Sequence, residues 1–171
     1  METIIKKSLA TFLDDKSEMS KFQHGFPKGR SCLTNLLKSF EAWTRLLEEG
    51  YRVDIIYIEY RKAFDTVHHG RLFDKLKSYG VDEKITRWVK EFLSQRRMRV
   101  GVQGSFSEWI DVLSGVPQGS VLGLLLFLIF VNGLPYWVSN SMWMFANDTQ
   151  ISRGIHVVGD SLSLQEDLHK N

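Results

Sequence analysis

Between Leu33 and Val53 the apolar residues change their rhythm, and that change limits the fold more than any other feature of the chain. Leu33, Leu36, Leu37, Phe40, Trp43, Leu46 and Leu47 recur at helical spacing behind Ser31, a residue suited to an N-cap, until Gly50 stops the run. From Val53 to Tyr60 the pattern becomes a nearly continuous β-rich run (Val53, Ile55, Ile56, Tyr57, Ile58), as in a central strand covered on both faces. The spacing therefore predicts a helix with one buried stripe that leads directly into a buried strand.

The remaining segments extend that alternation. Residues 2–19 carry a helical rhythm through Ile4, Ile5, Leu9, Phe12 and Leu13, and Gln23 to Arg30, with Gly25, Pro27 and Gly29, is loop. Helices are expected through Leu72, Leu76 and Tyr79, ended by Gly80, and from Asp82 through buried Ile85, Trp88, Val89 and Phe92. Arg99 to Val102 and Glu108 to Leu113 read as a hairpin around Gly104-Ser105. Residues 119–134 suit a buried helix, Met142 to Ile151 a second hairpin turning at Asn147-Asp148, and the tail from Asp160 is weakly amphipathic. This order gives an α+β fold, with helices around a small, mostly antiparallel sheet. With 171 residues, 43% of them apolar, the chain can bury one ordinary core and is most simply a single domain over 1–171.

Charge says less. The formal net charge is +2, so composition alone does not point to nucleic acid. Lys6-Lys7, Lys28 with Arg30, Arg61-Lys62, and Arg96-Arg97 with Arg99 form local basic clusters that suit either solvated faces or phosphate tracks. The single cysteine, Cys32, excludes an internal disulfide, fits a reducing compartment, and reads as a small core residue. Charged Lys6, Lys7, Asp14 and Asp15 break any secretory signal, and the longest apolar run, Val121 to Val131, is short of the roughly 20 residues a bilayer requires. The expectation is an intracellular protein, nuclear or cytoplasmic, without a membrane partner.

Three segments carry chemistry. The first is Tyr57-Ile58-Glu59-Tyr60-Arg61-Lys62-Ala63-Phe64-Asp65-Thr66-Val67. The second is Ser114-Gly115-Val116-Pro117-Gln118-Gly119-Ser120-Val121-Leu122-Gly123. The third is Phe145-Ala146-Asn147-Asp148-Thr149. In this order they resemble the reverse transcriptase domain of non-LTR (LINE-type) retrotransposons, which usually writes the first as Y-L-D-F-S-K-A-F-D-T-V and the last as F-A-D-D-T. Gln23-His24-Gly25-Phe26 and Gly29-Arg30-Ser31-Cys32-Leu33-Thr34-Asn35-Leu36 add to the match. The resemblance implies a palm (51–171) with partial fingers (1–50), and no thumb or endonuclease within the chain. It also implies RNA template, DNA primer and deoxynucleoside triphosphates as partners. The oligomeric state stays open.

The implied reaction, RNA-directed DNA synthesis, uses two divalent cations about 4 Å apart, held by carboxylates from separate segments. By the match, Glu59, Asn147 and Asp148 occupy the catalytic positions, and Glu59 and Asp148 are the metal ligands for magnesium or, as a substitute, manganese. Glu59 carries one more methylene than the family's Asp, a displacement of about 1 Å, which can cost about 100-fold. Asn147 removes one of the anions altogether, so binding of metal is expected to be weak and catalysis impaired or lost. Read without the resemblance, Glu59 is an inward acid at a strand end paired with a nearby base such as Arg61 or Lys62.

Around that centre, Phe64 matches the family's aromatic under the incoming sugar, though alone it reads as core. Gln118 and Gly119 lie in a loop entering a helix whose N-terminal amides suit phosphate, and Arg61 and Lys62 complete the nucleotide- and template-binding set. Asp65 reads as a cap for the helix that follows, and His68-His69, where the family usually has Pro-His, as a helix-start pair. Trp109, Trp137 and Trp143 read as packing residues, with base stacking open to any that is exposed.

Leu124 stands where the family usually has Pro, and Gly133 where Asp usually follows Asn132; inside a helix Gly133 would cost about 1 kcal/mol. Pro27 replaces the Arg of Gly-Phe-Arg-Lys-Gly-Arg and removes a phosphate contact. Such erosion leaves two readings: an impaired polymerase domain, or a non-catalytic remnant that binds nucleic acid or has no function.

Overall fold

The computed structural model describes residues 1–25 and 29–169. Pro27, and the phosphate contact inferred lost there, lie outside the described residues. In chain order the elements are α1 (Glu2–Asp15), α2 (Cys32–Glu48), β1 (Arg52–Glu59), α3 (His69–Ser78), α4 (Glu83–Leu93), β2 (Arg97–Met98), β3 (Gly101–Val102), β4 (Ser105–Phe106), β5 (Ile110–Asp111), α5 (Gly123–Val131), a 3-10 turn (Leu134–Tyr136), β6 (Ser141–Phe145), β7 (Asp148–Ile155) and α6 (Val158–His169). Mixed helices and small antiparallel sheets are therefore present, as the α+β reading expects. They fall into two units, one made of Met1–Glu18 and Lys62–Val131, the other of Met19–Arg61 and Asn132–Asn171. No described helix is long and apolar enough to cross a membrane.

The first unit is mainly helical. α5 is apolar all round and buries Gly123, Leu125, Leu126, Phe127, Leu128, Ile129 and Val131. It stops at Val131, so Gly133 lies beyond it and the expected helix penalty does not arise. α3 buries Leu72 and Leu76, and α1 buries Leu9 and Leu13. His68 caps α3, its Nδ1 accepting the Arg71 N–H at 3.3 Å; Asp65, the expected cap, instead offers its carbonyl to the Ser114 hydroxyl at 2.8 Å. α4 starts at Asp82 as read, but it buries Thr86, Val89 and Leu93, while Ile85, Trp88 and Phe92 are half-buried. Trp88 and Phe92 stack on each other with centroids 5.4 Å apart, which shelters part of each ring.

Between α4 and α5 the chain makes two short exposed ladders rather than one hairpin: β2 pairs with β5 and β3 with β4. The tight turn sits at Gln103-Gly104, both at positive φ (49° and 83°), one residue earlier than the Gly104-Ser105 reading.

The second unit is built on an antiparallel sheet in the order β1-β7-β6. β1 is thus an edge strand, half-buried with Tyr57 exposed, and not the central strand its apolar run suggests. β7 holds the centre although it reads as mixed in polarity, because Thr149, Ile151 and Ser152 are buried there. Periodicity reports apolarity; the pairing partners decide which strand is enclosed.

α2 begins as expected, with a reciprocal capping box between Ser31 and Thr34. Its buried line, however, is Asn35, Ser39 and Trp43, whereas Leu33, Leu37, Phe40 and Leu47 are exposed, and Cys32 is exposed too. Trp43 explains the orientation: its indole N–H donates to the Ser152 hydroxyl at 3.0 Å and its ring meets Trp143 edge-on at 6.1 Å. Trp143 is a packing residue as read; Trp109 and Trp137 are exposed. α6 closes the unit. Arg153 binds Asp160 at 2.8 Å, and the buried Asp167 carboxylate accepts the Ser139 and Asn140 backbone N–H groups.

Candidate active site

In the second unit, β6 turns into β7 through Ala146-Asn147, with Ala146 at φ +56°, so Asp148 is already the first residue of β7. The turn expected at Asn147-Asp148 is therefore one residue earlier. This matters chemically. Asp148 is paired in register with Glu59 on one side and with Phe145 on the other. Directly opposed residues of an antiparallel pair project from the same face, with Cβ atoms roughly 4.5–5.5 Å apart. The sheet thus brings Glu59 and Asp148 together from segments almost ninety positions apart on the scale of the sequence numbering, at the end where both strands meet the turn.

Both carboxylates are exposed, and among the described residues no ion pair engages Glu59, so its pairing with Arg61 or Lys62 is not realised. Asn147 is half-buried and its amide Nδ2 donates to Asp148 Oδ1 at 3.4 Å, a long contact. Among the described residues there is no group of three or more His, Cys, Asp or Glu placed to hold a metal ion. The donor set at this point of the sheet is two carboxylates and one neutral amide.

The sequence places Gln23 in a loop and in the Gln23-His24-Gly25-Phe26 part of the resemblance, with no role assigned to its side chain. The structure places its side chain against the turn: Ala146 N–H donates to Gln23 Oε1 at 2.8 Å and Gln23 Nε2 donates to the Ala146 carbonyl at 3.1 Å. Gln23 also forms a parallel bridge with Met144. The adjoining His24 is buried, its Nδ1 lies 3.0 Å from Thr34 Oγ1, and its pKa is pushed down by burial and then by Lys38 and Arg30. The signal available was the Gln23-His24-Gly25-Phe26 match; no periodicity marks what the glutamine contacts.

The first unit carries the other proposed binding residues except Arg61. The loop from Ser114 is laced to the 62–67 segment by Gly115 N–H to the Val67 carbonyl (2.8 Å) and Val116 N–H to the Phe64 carbonyl (2.9 Å). His69 Nε2 and the Arg96 guanidinium both reach the Gly115 carbonyl, at 2.8 and 2.5 Å. Gly115 sits at φ +83°, and a Cβ there would come within 2.7 Å of the Asp65 backbone, so only glycine fits.

Within this frame Phe64 is half-buried and stacks on Phe127 at 4.3 Å, a core contact as much as a pocket wall. Gln118 and Gly119 are exposed, Gly119 at φ +85°. The amides at the head of α5 are less available than the motif suggests: Leu122 N–H donates to Glu2 Oε2 at 3.2 Å and Gly123 N–H to Ser120 Oγ at 2.9 Å. Lys62 is exposed at φ +52°, its carbonyl accepting the Asp65 and Thr66 N–H groups; Arg61, which belongs to the second unit, is exposed.

The sequence pattern described as reverse transcriptase (RNA-dependent DNA polymerase) matches residues 1–156. The chain belongs to this family. It is 30% identical over 78% of its length to the probable RNA-directed DNA polymerase from transposon BS of Drosophila melanogaster. It is 31% identical over 79% of its length to the RNA-directed DNA polymerase from the mobile element jockey of the same species. A third relative is the Pol polyprotein of the retrotransposable element R2 from Popillia japonica, 29% identical over 74% of the chain. The chain spans 15% of the first two relatives and 18% of the third. It is a reverse transcriptase domain of retrotransposon origin, and the family works with divalent metal on template, primer and nucleotides.

Proposed function

We propose that this reverse transcriptase domain carries the carboxylate centre of an RNA-directed DNA polymerase in which two-metal nucleotidyl transfer is impaired. The observation that carries this reading is the strand register that sets Glu59 opposite Asp148 beside Asn147. Residues 51–171 then serve as palm and residues 1–50 as partial fingers, acting on an RNA template, a DNA primer and deoxynucleoside triphosphates.

The donor chemistry fits one divalent cation. Glu59 and Asp148 would hold magnesium through hard carboxylate oxygens, with phosphate and water completing its shell. A divalent ion bound there supplies charge neutralisation for the phosphoryl group and the leaving diphosphate. Asn147 offers a carbonyl oxygen without charge, so a second cation meets too little negative charge. Glu59 reaches farther from its strand than an aspartate and sets its oxygens about 1 Å from the aspartate position, a shift that can cost about 100-fold. Gln118, Gly119, Arg61 and Lys62 are assigned to nucleotide and template contacts, and Phe64 to the wall beside the sugar.

Primer extension on an RNA template, with magnesium and then manganese, tests this. The Glu59→Asp/Asn147→Asp double variant is expected to extend the primer, and its further Asp148→Ala variant to lose extension. Full extension by the unaltered chain refutes the impairment.

One observation favours nucleic-acid binding without catalysis as a second reading. On the exposed ladders, the Arg99 guanidinium lies 3.9 Å from the Phe106 ring centroid and 4.6 Å from that of Trp109. Its planar donors are held by stacking yet meet no acceptor among the described residues, an arrangement suited to a phosphate. Under this reading, Arg99→Ala lowers the slope of log affinity against log salt by about 1 and Asp148→Ala leaves binding unchanged.

A further inference from the structure

We propose that Gln23 is a positioning residue for the Ala146-Asn147-Asp148 turn, and that its side-chain amide sets where Asn147 and Asp148 present their oxygens. The inference rests on reading that turn as the metal site. Ala146 has no polar side chain, and its φ of +56° is a conformation that costs a non-glycine residue about 1–2 kcal/mol. Strained backbone persists only where its surroundings over-determine it. Gln23 does so from both sides. Oε1 accepts the Ala146 N–H, and Nε2 donates to the Ala146 carbonyl, so one planar amide engages both backbone groups of the strained residue.

The clamp is itself fixed. Gln23 is 1% exposed, so water does not substitute for its contacts. Its Oε1 also accepts the Gly25 N–H at 2.8 Å, and its carbonyl accepts from the Arg30 guanidinium at 2.6 Å. His24 N–H donates to the Met144 carbonyl at 2.7 Å, and Met144 N–H to the Phe22 carbonyl at 2.9 Å, which holds the segment along β6. At Gly25 a Cβ would stand 2.5 Å from the Ala146 nitrogen, so the close approach requires glycine. Only an uncharged amide both donates and accepts at this spacing; a carboxylate loses the donor and an apolar side chain loses both. Asn147 and Asp148 follow Ala146 directly, so rotation of the Ala146 peptide displaces their oxygens.

The test measures backbone amide hydrogen exchange at Ala146 and at Ile151 in mid-β7, together with Mn2+ affinity by paramagnetic titration. Both the unaltered chain and its Glu59→Asp/Asn147→Asp form are used. For Gln23→Met the expected result is about tenfold faster exchange at Ala146, unchanged exchange at Ile151, and Mn2+ affinity about tenfold weaker, as loss of a buried hydrogen-bond pair implies. Gln23→Glu is the second variant, in case the first does not fold. Its Ala146 protection, corrected for intrinsic exchange, is expected to return as pH falls and the introduced carboxyl regains a donor proton. That pH dependence ties the protection to the donor proton, and the accompanying recovery of Mn2+ affinity separates a positioning role from a merely structural one.

Equal acceleration at Ala146 and Ile151, or unchanged Ala146 protection, overturns the proposal. Selective loosening of Ala146 with no Mn2+ bound by either form upholds the clamp and removes the metal reading of the turn. Selective loosening with undiminished Mn2+ affinity overturns the positioning role.

Discussion

The loop Ser114–Gly123 and the turn Ala146–Asp148 each depend on backbone at positive φ, at Gly115 and Ala146 respectively. They differ in what their side chains have to supply. In the loop, the residues that make the motif recognisable are those the backbone needs: Gly115 packs against Asp65, and Gly123 leaves no room for a Cβ beside the Pro117 carbonyl at 2.3 Å. In the turn, the backbone is held as firmly, by Gln23 and by register with Glu59, yet the positions that face outward have changed charge and length. The difference shows that constraints on folding and on chemistry separate cleanly. Replacing the carboxylate at the half-buried position 147 by an amide of nearly the same size and shape disturbs little packing, so the fold does not oppose it.

That comparison can be broken first at the turn. Asn147→Asp alone is expected to raise primer extension more than Glu59→Asp alone, and the two together by at least about 100-fold, since a charge and roughly 1 Å of placement are both restored. Equal gains from both single variants would remove the distinction between lost charge and lost placement. Next in size is the loop. Gly115→Ala is expected to destabilise its unit by about 2–3 kcal/mol through strain and overlap with Asp65, read as a lower midpoint in urea with an unchanged slope. If stability holds, the loop is less tightly laced than its hydrogen bonds indicate.

How much of this was legible in the sequence follows the same division. Caps and breakers were readable because they act locally: Ser31 and Asp82 start their helices, and Gly80 follows α3. Facing was not. Leu33, Leu36, Leu37 and Leu47 of α2 point outward because Trp43 finds Ser152 and Trp143, partners more than ninety residues away, and β1 is an edge because β6 lies on the far side of β7. For the site, Glu59 and Asp148 could be named from the motif and are adjacent in the sheet. Gln23 could be named from the Gln23-His24-Gly25-Phe26 match but not given a role, since its partners appear only once the turn it clamps is in place.

Smaller effects sharpen the contrast. Ala146→Gly relieves the positive φ and is expected to stabilise the second unit by about 1 kcal/mol while leaving Gln23 bound, since Gln23 contacts backbone only. A loss of stability there would mean that Ala146 is not strained.

The smallest effect appears only in acid. The Val157 N–H, the Arg153 side chain and the His156 N–H hold the Asp160 carboxyl down at about 2, below its ordinary 3.8. A carboxyl depressed in the folded state stabilises above its unfolded value and loses that contribution as pH falls through the folded one. The unaltered chain is therefore expected to lose stability between about pH 4 and pH 2, and Asp160→Asn to show a shallower decline over that window in acid titrations followed by circular dichroism.

The most direct test of the central claim, an intact scaffold with a depleted ligand set, is the stoichiometry of Mn2+ binding to the unaltered chain and to Glu59→Asp/Asn147→Asp in the presence of template-primer and a non-hydrolysable deoxynucleoside triphosphate. The account predicts one weakly held ion in the former and two in the latter, with the same melting temperature for both when metal and ligands are left out. Two ions of equal affinity in the unaltered chain would contradict it.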